Sequence, residues 1–184
     1  MNTILTEKLS YVSGYRENRQ ALANFILTHE AYFPELLEHC FSNEENYSHK
    51  ACWVTELVCK GKLTWLFPHL DFFLIKLPSL KNDSSIRPLA KVCELLCESY
   101  FIKKDPKTLS QLNDAHLEKL AEINFDWLIS NVKVATKAYA MHCLFLLGKK
   151  YHWIYPELKH TLEQGFAHHS AAYKARARHI LKKI

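Results

Sequence analysis

Glycine and proline are scarce in this sequence, with four glycines and six prolines among 184 residues. An all-β chain needs many turn residues, so the scarcity favours an all-α fold made of long helices. Few glycines also leave little material for phosphate-binding loops, and the chain contains neither Gly-x-Gly-x-x-Gly nor Gly-x-Ser-x-Gly. The sequence therefore offers no motif for a nucleophile or a nucleotide, and we expect no catalytic residue and no enzyme activity.

Long apolar runs are also absent. The most apolar stretches, residues 63–80 and 139–147, are interrupted by His, Asp, Lys or Pro before they reach the length of a membrane span. The first residues lack the apolar segment of a secretory signal. All six cysteines lie within apolar helical patterns, where they are expected as small buried hydrophobes in a reducing compartment. We therefore expect a cytoplasmic protein without membrane contact.

Metal-binding and catalytic clusters are missing as well. The cysteines stand mid-helix, whereas structural zinc needs four convergent ligands, usually from short cysteine pairs in loops. Eleven histidines occur, but none belongs to a His-Glu-x-x-His motif, and His142 is predicted to be the most buried of them. The carboxylates Glu56, Glu94 and Glu98 are predicted at solvated helix edges. We therefore expect no metal and no cofactor.

A short phrase that joins an aromatic residue to a proline occurs three times: Phe33-Pro34-Glu35-Leu36, Phe67-Pro68-His69-Leu70 and Tyr155-Pro156-Glu157-Leu158. Proline suits the first turn of a helix, where its missing N–H leaves nothing unpaired. The first two prolines are 34 residues apart and the last two are 88 apart, which leaves room for one divergent unit between them. The phrases predict a repeated helical hairpin.

Apolar spacing and helix-start residues place the helices between these phrases. The predicted helices cover residues 15–27, 34–41, 48–61, 68–77, a stretch from 83 towards the polar loop 103–107, 113–127, 132–148, 156–165 and 170–183. Ser48 is predicted to cap the third helix, and Gly61 is predicted to end it in the left-handed conformation. The polar segment 42–46 is predicted to close the first hairpin, and the last helix is expected to be an end cap.

Helix pairs of this length, together with the first-helix pattern Ile86-Arg87-Pro88-Leu89-Ala90-Lys91-Val92, resemble HEAT or armadillo-type α-solenoid repeats over roughly residues 15–183. The resemblance implies a right-handed α-α superhelix of four to five hairpins. It also implies a single domain over residues 1–184, with a concave face and a binding role.

The chain is also similar to short all-helical proteins that carry an adenylosuccinate lyase label. That superfamily places its catalytic serine in a Ser-Ser-x-Met-Pro-x-Lys-x-Asn loop. The only methionines here are Met1 and Met141, and Met141 is followed by His142 rather than by proline. We therefore expect no lyase activity.

The basic charge is concentrated in the last third of the chain. Residues 1–130 contain 14 basic and 17 acidic residues, a net charge of −3, whereas residues 131–184 contain 10 and 2, a net charge of +8. Five cations in the last predicted helix form a candidate polyanion-binding face: Lys174, Arg176, Arg178, Lys182 and Lys183. The alternative is a solvated helix whose cations suit its negative dipole end.

A basic solenoid also resembles the HEAT-like alkylpurine DNA glycosylases, in which aromatic and arginine residues line the concave surface with an aspartate. Four tryptophans are available for such a surface: Trp53, Trp65, Trp127 and Trp153. A nucleic-acid binder is expected to place Lys133, Lys137, Lys174 and Arg178 on one continuous surface. A protein-binding module is expected to expose an apolar or acidic groove between residues 30 and 130.

Taken as a whole, the sequence is interpreted as that of a non-enzymatic binding or scaffold protein whose partner is another protein. The alternative is a nucleic-acid-binding HEAT-like protein, related to DNA alkylation repair, that uses its basic C-terminal face.

Overall fold

The computed structural model describes residues 3–42 and 46–184, and within these ranges its regular secondary structure is helical throughout, without a strand. The predicted all-α class is confirmed. The described α-helices are α1 Thr3–Ser10, α2 Arg16–Thr28, α3 Phe33–Cys40, α4 Ser48–Gly61, α5 Leu70–Lys76, α6 Asp83–Glu98, α7 Pro106–Gln111, α8 Asp114–Ile129, α9 Val134–Leu147, α10 Ile154–Phe166 and α11 Ala171–Leu181. Short 3-10 segments cover Glu30–Tyr32, Leu63–His69 and Leu77–Ser79, and a π-helical turn covers Ser99–Lys103.

The chain divides into two compact units, Met1–Leu95 and Leu96–Ile184, which we call the N-terminal and the C-terminal unit. The superhelix of HEAT-like hairpins and the single domain over residues 1–184 stay predictions. No helix in the described part of the chain combines the length and the apolar character that crossing a bilayer requires.

In the N-terminal unit, α4 packs against both α2 and α3. The three helices bury apolar residues at one-face spacing, such as Leu22 and Ile26 on α2 and Val54 and Val58 on α4. Each buried side chain of this size contributes about 1.5–3 kcal/mol relative to leaving it in water. Hydrophobic burial therefore holds this unit together.

The aromatic–proline phrases begin helices in two of the three places. Pro34 lies in the first turn of α3, and Pro156 lies in the first turn of α10. Pro68, in contrast, lies within the 3-10 segment Leu63–His69, and the α-helix begins only at Leu70. Phe33 is fully buried and meets the ring of Trp65 edge-on at 6.0 Å, so this aromatic is a core residue.

In the C-terminal unit, α9 is the central helix, with α8, α10 and α11 packed around it. Its buried residues include Ala140, Met141, Cys143, Leu144, Leu146 and Leu147. A helix that is apolar on most sides must be covered on most sides, which explains the central position. The predicted start of α8 is confirmed, because Asn113 accepts a hydrogen bond from the His116 N–H at 2.9 Å and forms a capping box.

Several predictions of local structure are wrong. Gly61 is the last residue of α4, and no described glycine has a positive φ, so Gly61 is not a left-handed cap. Ser48 is the first helical residue, and Tyr47 occupies the cap position without a side-chain hydrogen bond. The predicted polar loop 103–107 contains Lys104 in the left-handed conformation and then the start of α7. The polar segment 42–46 lies partly outside the described residues.

Helix α7 was missed because its start signal is short. Asp105 caps the helix by accepting hydrogen bonds at 2.8 Å from the N–H and the hydroxyl of Thr108. These bonds favour the charged carboxylate and lower the pKa of Asp105. The sequence Asp-Pro-x-Thr therefore begins a helix of six residues, where the polar pattern suggests a loop.

Candidate nucleic-acid interface

Helix α11 is anchored by one apolar face. Tyr173, Ala177 and Ile180 are buried at i, i+4 and i+7, and the Ser170 hydroxyl accepts a hydrogen bond from the Tyr173 N–H at 3.4 Å. A Cβ at Gly165, near the end of α10, would lie 2.6 Å from the Tyr173 hydroxyl oxygen. Glycine at this position therefore lets α10 approach α11 closely, and the remaining faces of α11 are left for polar residues.

One outer side of α11 carries Lys174, Arg178 and Lys182, which follow one another at the spacing of one helical turn. Lys174 is half-buried, and the other two are exposed. The Lys174 Nζ lies 6.0 Å from the centroid of the Phe166 ring at the end of α10, and the Arg178 guanidinium carbon lies 5.1 Å from it. These are cation–π distances, which hold both cations at the surface without neutralising them.

A groove of about 450 Å³ lies on this side of α11. We call it the Phe166 groove. Its lining residues come from α10 and from the end of α11: Glu163, Phe166, Arg178, Leu181 and Lys182. An apolar floor thus lies next to two exposed cations and one exposed carboxylate.

The other two candidate cations, Arg176 and Lys183, lie on a different side of α11, together with His179. The Lys183 Nζ lies 5.6 Å from the centroid of the Phe145 ring of α9, and the Lys149 Nζ lies 5.8 Å from the same centroid. The Tyr155 ring stacks on Phe145 at 6.2 Å. The five predicted cations therefore form two basic sides of one helix, each next to an aromatic ring.

Cations surround His179 on this second side. Lys183, desolvation, Arg176, His142 and Lys182 together lower the pKa of His179. A positive surrounding disfavours a further positive charge, which is the main physical cause of the lower pKa. Such a surface would bind an anion.

Lys137 does not belong to this surface, so the continuous surface of four cations expected of a nucleic-acid binder is not met at this position. Its side chain is buried between α8 and α9, with the residue 4% exposed, and its Nζ donates a hydrogen bond to the Leu128 carbonyl at 2.6 Å. Burial lowers the pKa of Lys137. Because Leu128 lies in the last turn of α8, this lysine satisfies a carbonyl that the helix leaves open.

The tryptophans lie in different surroundings within their units. Trp127 is buried, and Trp53 donates a hydrogen bond from its indole N–H to the Ser84 carbonyl at 2.9 Å. Trp153 is 55% exposed and stacks on Phe125 at 6.0 Å. This stacked pair is partly exposed to solvent and does not belong to the buried core.

The burial of the predicted polar residues also differs from expectation. His39, rather than His142, is the most buried of the described histidines, and it is 1% exposed. Glu56 and Glu94 are buried instead of solvated. Glu56 accepts a hydrogen bond from Lys60 at 2.5 Å and lies 3.5 Å from Arg87, while Glu94 pairs with Lys91 at 2.5 Å.

Other clusters give weaker sites. His142 lies 3.7 Å from Glu98, which makes one histidine–carboxylate pair near the second basic side. All six cysteines are buried and none forms a disulfide, as predicted for core residues. Burial raises the pKa of the Cys52 and Cys59 thiols, so neither is an activated nucleophile.

Comparison with known proteins gives no match: no family model matches the chain, and no curated protein and no solved structure is significantly similar to it. Function is therefore inferred from the residues and their geometry alone.

Proposed function

We propose that this protein is a non-enzymatic helical binding protein whose C-terminal unit binds the phosphate backbone of nucleic acid. The observation that carries the proposal is the arrangement of cations on α11. Lys174, Arg178 and Lys182 line one outer side, and two of these cations lie over an aromatic ring.

The local charge balance favours a polyanion as the ligand. Residues 131–184 contain only two acidic residues against ten basic ones. Phosphate contacts made by lysine and arginine release condensed counterions, so binding of this kind is strong at low salt and weakens as salt rises. The distance from Lys174 to Lys182 along the helix is about 12 Å, enough to follow a stretch of backbone rather than a single anion.

The test is fluorescence anisotropy with labelled DNA across a salt series. We expect the logarithm of the association constant to fall linearly with the logarithm of salt concentration. Changing Lys174, Arg178 and Lys182 together to alanine should reduce that slope by about three, because each lysine or arginine contact contributes about one. Absence of binding at low salt would refute the proposal.

A matched control removes the same charge from elsewhere. Lys62, Lys76 and Lys107 are exposed and lie outside residues 131–184. Their combined replacement by alanine should leave the salt slope nearly unchanged. An equal loss in both triple variants would mean that net charge, and not the α11 surface, governs binding.

A protein partner is the second candidate function, and the exposed apolar residues of the C-terminal unit favour it. Ile129 is 69% exposed, and Trp153 is 55% exposed and stacks on Phe125, so a partner could cover these side chains. Binding of a protein would vary little with salt and would be weakened by Trp153→Ala. The concave-face scaffold role expected from the sequence belongs to this candidate and stays a proposal.

A further inference from the structure

The Phe166 groove combines an apolar floor with cations. Phe166 and Leu181 provide the apolar contact area, Lys182 lies beside them, and the Arg178 guanidinium carbon lies 5.1 Å from the centroid of the Phe166 ring. A surface that contacts only the phosphate backbone needs cations but no apolar area. Aromatic floors next to cations are what proteins use to stack unpaired bases.

The apolar floor that Phe166 and Leu181 form favours a ligand with an exposed apolar face. In a duplex each base is stacked and paired, so its face is not available to a groove on the protein surface. An unpaired base exposes both faces, and its own phosphates can reach the neighbouring cations. Charge complementarity and the apolar floor therefore favour single-stranded nucleic acid among the polyanions.

We propose that the Phe166 groove binds an unpaired nucleobase, and that the protein prefers single-stranded nucleic acid to duplex. The base packs against Phe166 and Leu181, and the neighbouring phosphates contact Arg178 and Lys182. This inference rests on the proposed function, since it names the class of nucleic acid bound at the same helix.

Glu163 is the one carboxylate that lines the groove. It repels phosphate, so it lowers the affinity for any strand that passes close to it. It also offers an acceptor to the exocyclic amino groups of cytosine and adenine, in the manner of a base-reading carboxylate. The groove is therefore expected to place the base, rather than a phosphate, next to Glu163.

The experiment compares three labelled DNA probes of equal length at low salt: a single strand, the same single strand with its bases removed, and a duplex. The abasic strand keeps the phosphates, so its difference from the normal strand measures the base alone. We expect the normal single strand to bind about tenfold more tightly than the abasic strand, as one stacked base would give. Equal binding of these two strands would overturn the inference.

The variant that tests the site is Phe166→Leu, which keeps an apolar residue but removes the stacking face. It should remove the difference in affinity between the normal and the abasic strand, because any change in the phosphate contacts affects both strands equally. Phe145→Leu is the matched control. Like Phe166, Phe145 is half-buried and has two cations beside its ring, here Lys149 and Lys183, but it does not line the groove. Equal losses in both variants would overturn the assignment to Phe166.

A second variant protects the test against misfolding. Leu181→Gln keeps Phe166 and the approximate size of the side chain but makes the floor polar, and it should reduce the difference between the normal and the abasic strand. If the difference is unchanged in a folded Leu181→Gln protein, the base does not pack on this floor and the inference is wrong. Failure of the proposed function looks different, because then none of the three probes binds at low salt. Binding to an acidic peptide, without binding to DNA, would also reject the inference and favour a protein partner.

Discussion

The buried carboxylates of the N-terminal unit and the cations of α11 in the C-terminal unit lie in different surroundings. In the N-terminal unit, Glu56 and Glu94 are buried, and each is matched by lysine or arginine at hydrogen-bond or ion-pair distance. In the C-terminal unit, Lys174 and Arg178 lie beside the Phe166 ring, and Lys183 lies beside another aromatic ring. Charges that are matched inside a unit contribute to its fold, whereas cations held at a surface by aromatic rings are available to an anionic partner.

The difference has a practical consequence for mutagenesis. Removing a matched, buried charge should change stability, and removing a surface cation or its neighbour should change binding with little effect on stability. Four experiments test this separation, from the largest expected effect to the smallest.

Glu56→Gln should destabilise the protein by about 2–3 kcal/mol, because it leaves two cations without their buried carboxylate. The expected loss is below that for a fully buried pair, since Lys60 and Arg87 are 43% and 32% exposed. The measurement is urea unfolding followed by circular dichroism. Glu122→Gln is the control, because the Lys119–Glu122 pair is exposed and should change stability by less than about 1 kcal/mol.

His39→Leu should raise the free energy of unfolding by about 1 kcal/mol. Unlike Glu56 and Glu94, the buried His39 side chain lacks a hydrogen-bond partner among the described residues. Neither ring nitrogen finds a hydrogen-bond partner among the described residues, and Oε1 of Glu35 lies 4.0 Å from Nε2. Replacing unsatisfied buried polar atoms by an apolar side chain removes their desolvation cost. Thermal unfolding measures the gain, and a lower melting temperature than wild type would contradict it. His152→Leu, at an exposed position, should change little.

Glu163→Gln should tighten DNA binding by about threefold while leaving stability within about 0.5 kcal/mol of wild type. The carboxylate lies in the Phe166 groove, is exposed, and repels phosphates at the edge. Anisotropy titrations at fixed salt give the affinity. Unchanged affinity would mean that the strand does not pass this groove.

His179 should make DNA binding weakly dependent on pH. Neighbouring cations lower the pKa of His179 in the free protein, and a bound phosphate would raise it again. The bound state then takes up a proton, so affinity should increase by about threefold or less as pH falls from about 7.5 to 5.5. Titrations at constant ionic strength over this range should show a shallower dependence for His179→Gln than for wild type. An identical pH dependence in the two proteins would contradict the role of His179.

Prediction from sequence succeeded where the determinant was local. The apolar spacing on α2 and α8 gave those helices to within about two residues, and the start of α8 was predicted at Asn113 or Asp114, which are its cap and its first residue. It failed at two helix starts. Tyr47 rather than Ser48 precedes α4, and Pro68 lies in a 3-10 segment that ends before α5 begins at Leu70.

The candidate interface was predicted in part. Spacing along α11 is sufficient to place Lys174, Arg178 and Lys182 on one side, because the helical repeat fixes their relative directions. The separation of Arg176 and Lys183 from that side follows from the same geometry. Lys137 was misplaced because the sequence did not reveal that its helix is central and that its Nζ would reach the Leu128 carbonyl.

The sequence by itself determined the all-α class, the concentration of positive charge in the last third and the burial of the cysteines. These properties depend on composition and on periodicities within single helices. Only the tertiary structure decided that Glu56 is buried between two cations, that His39 is buried without hydrogen-bond partners, and that Phe166 lies under Lys174 and Arg178. Those environments depend on residues from different helices, and their distances are set by how the helices pack rather than by any local pattern.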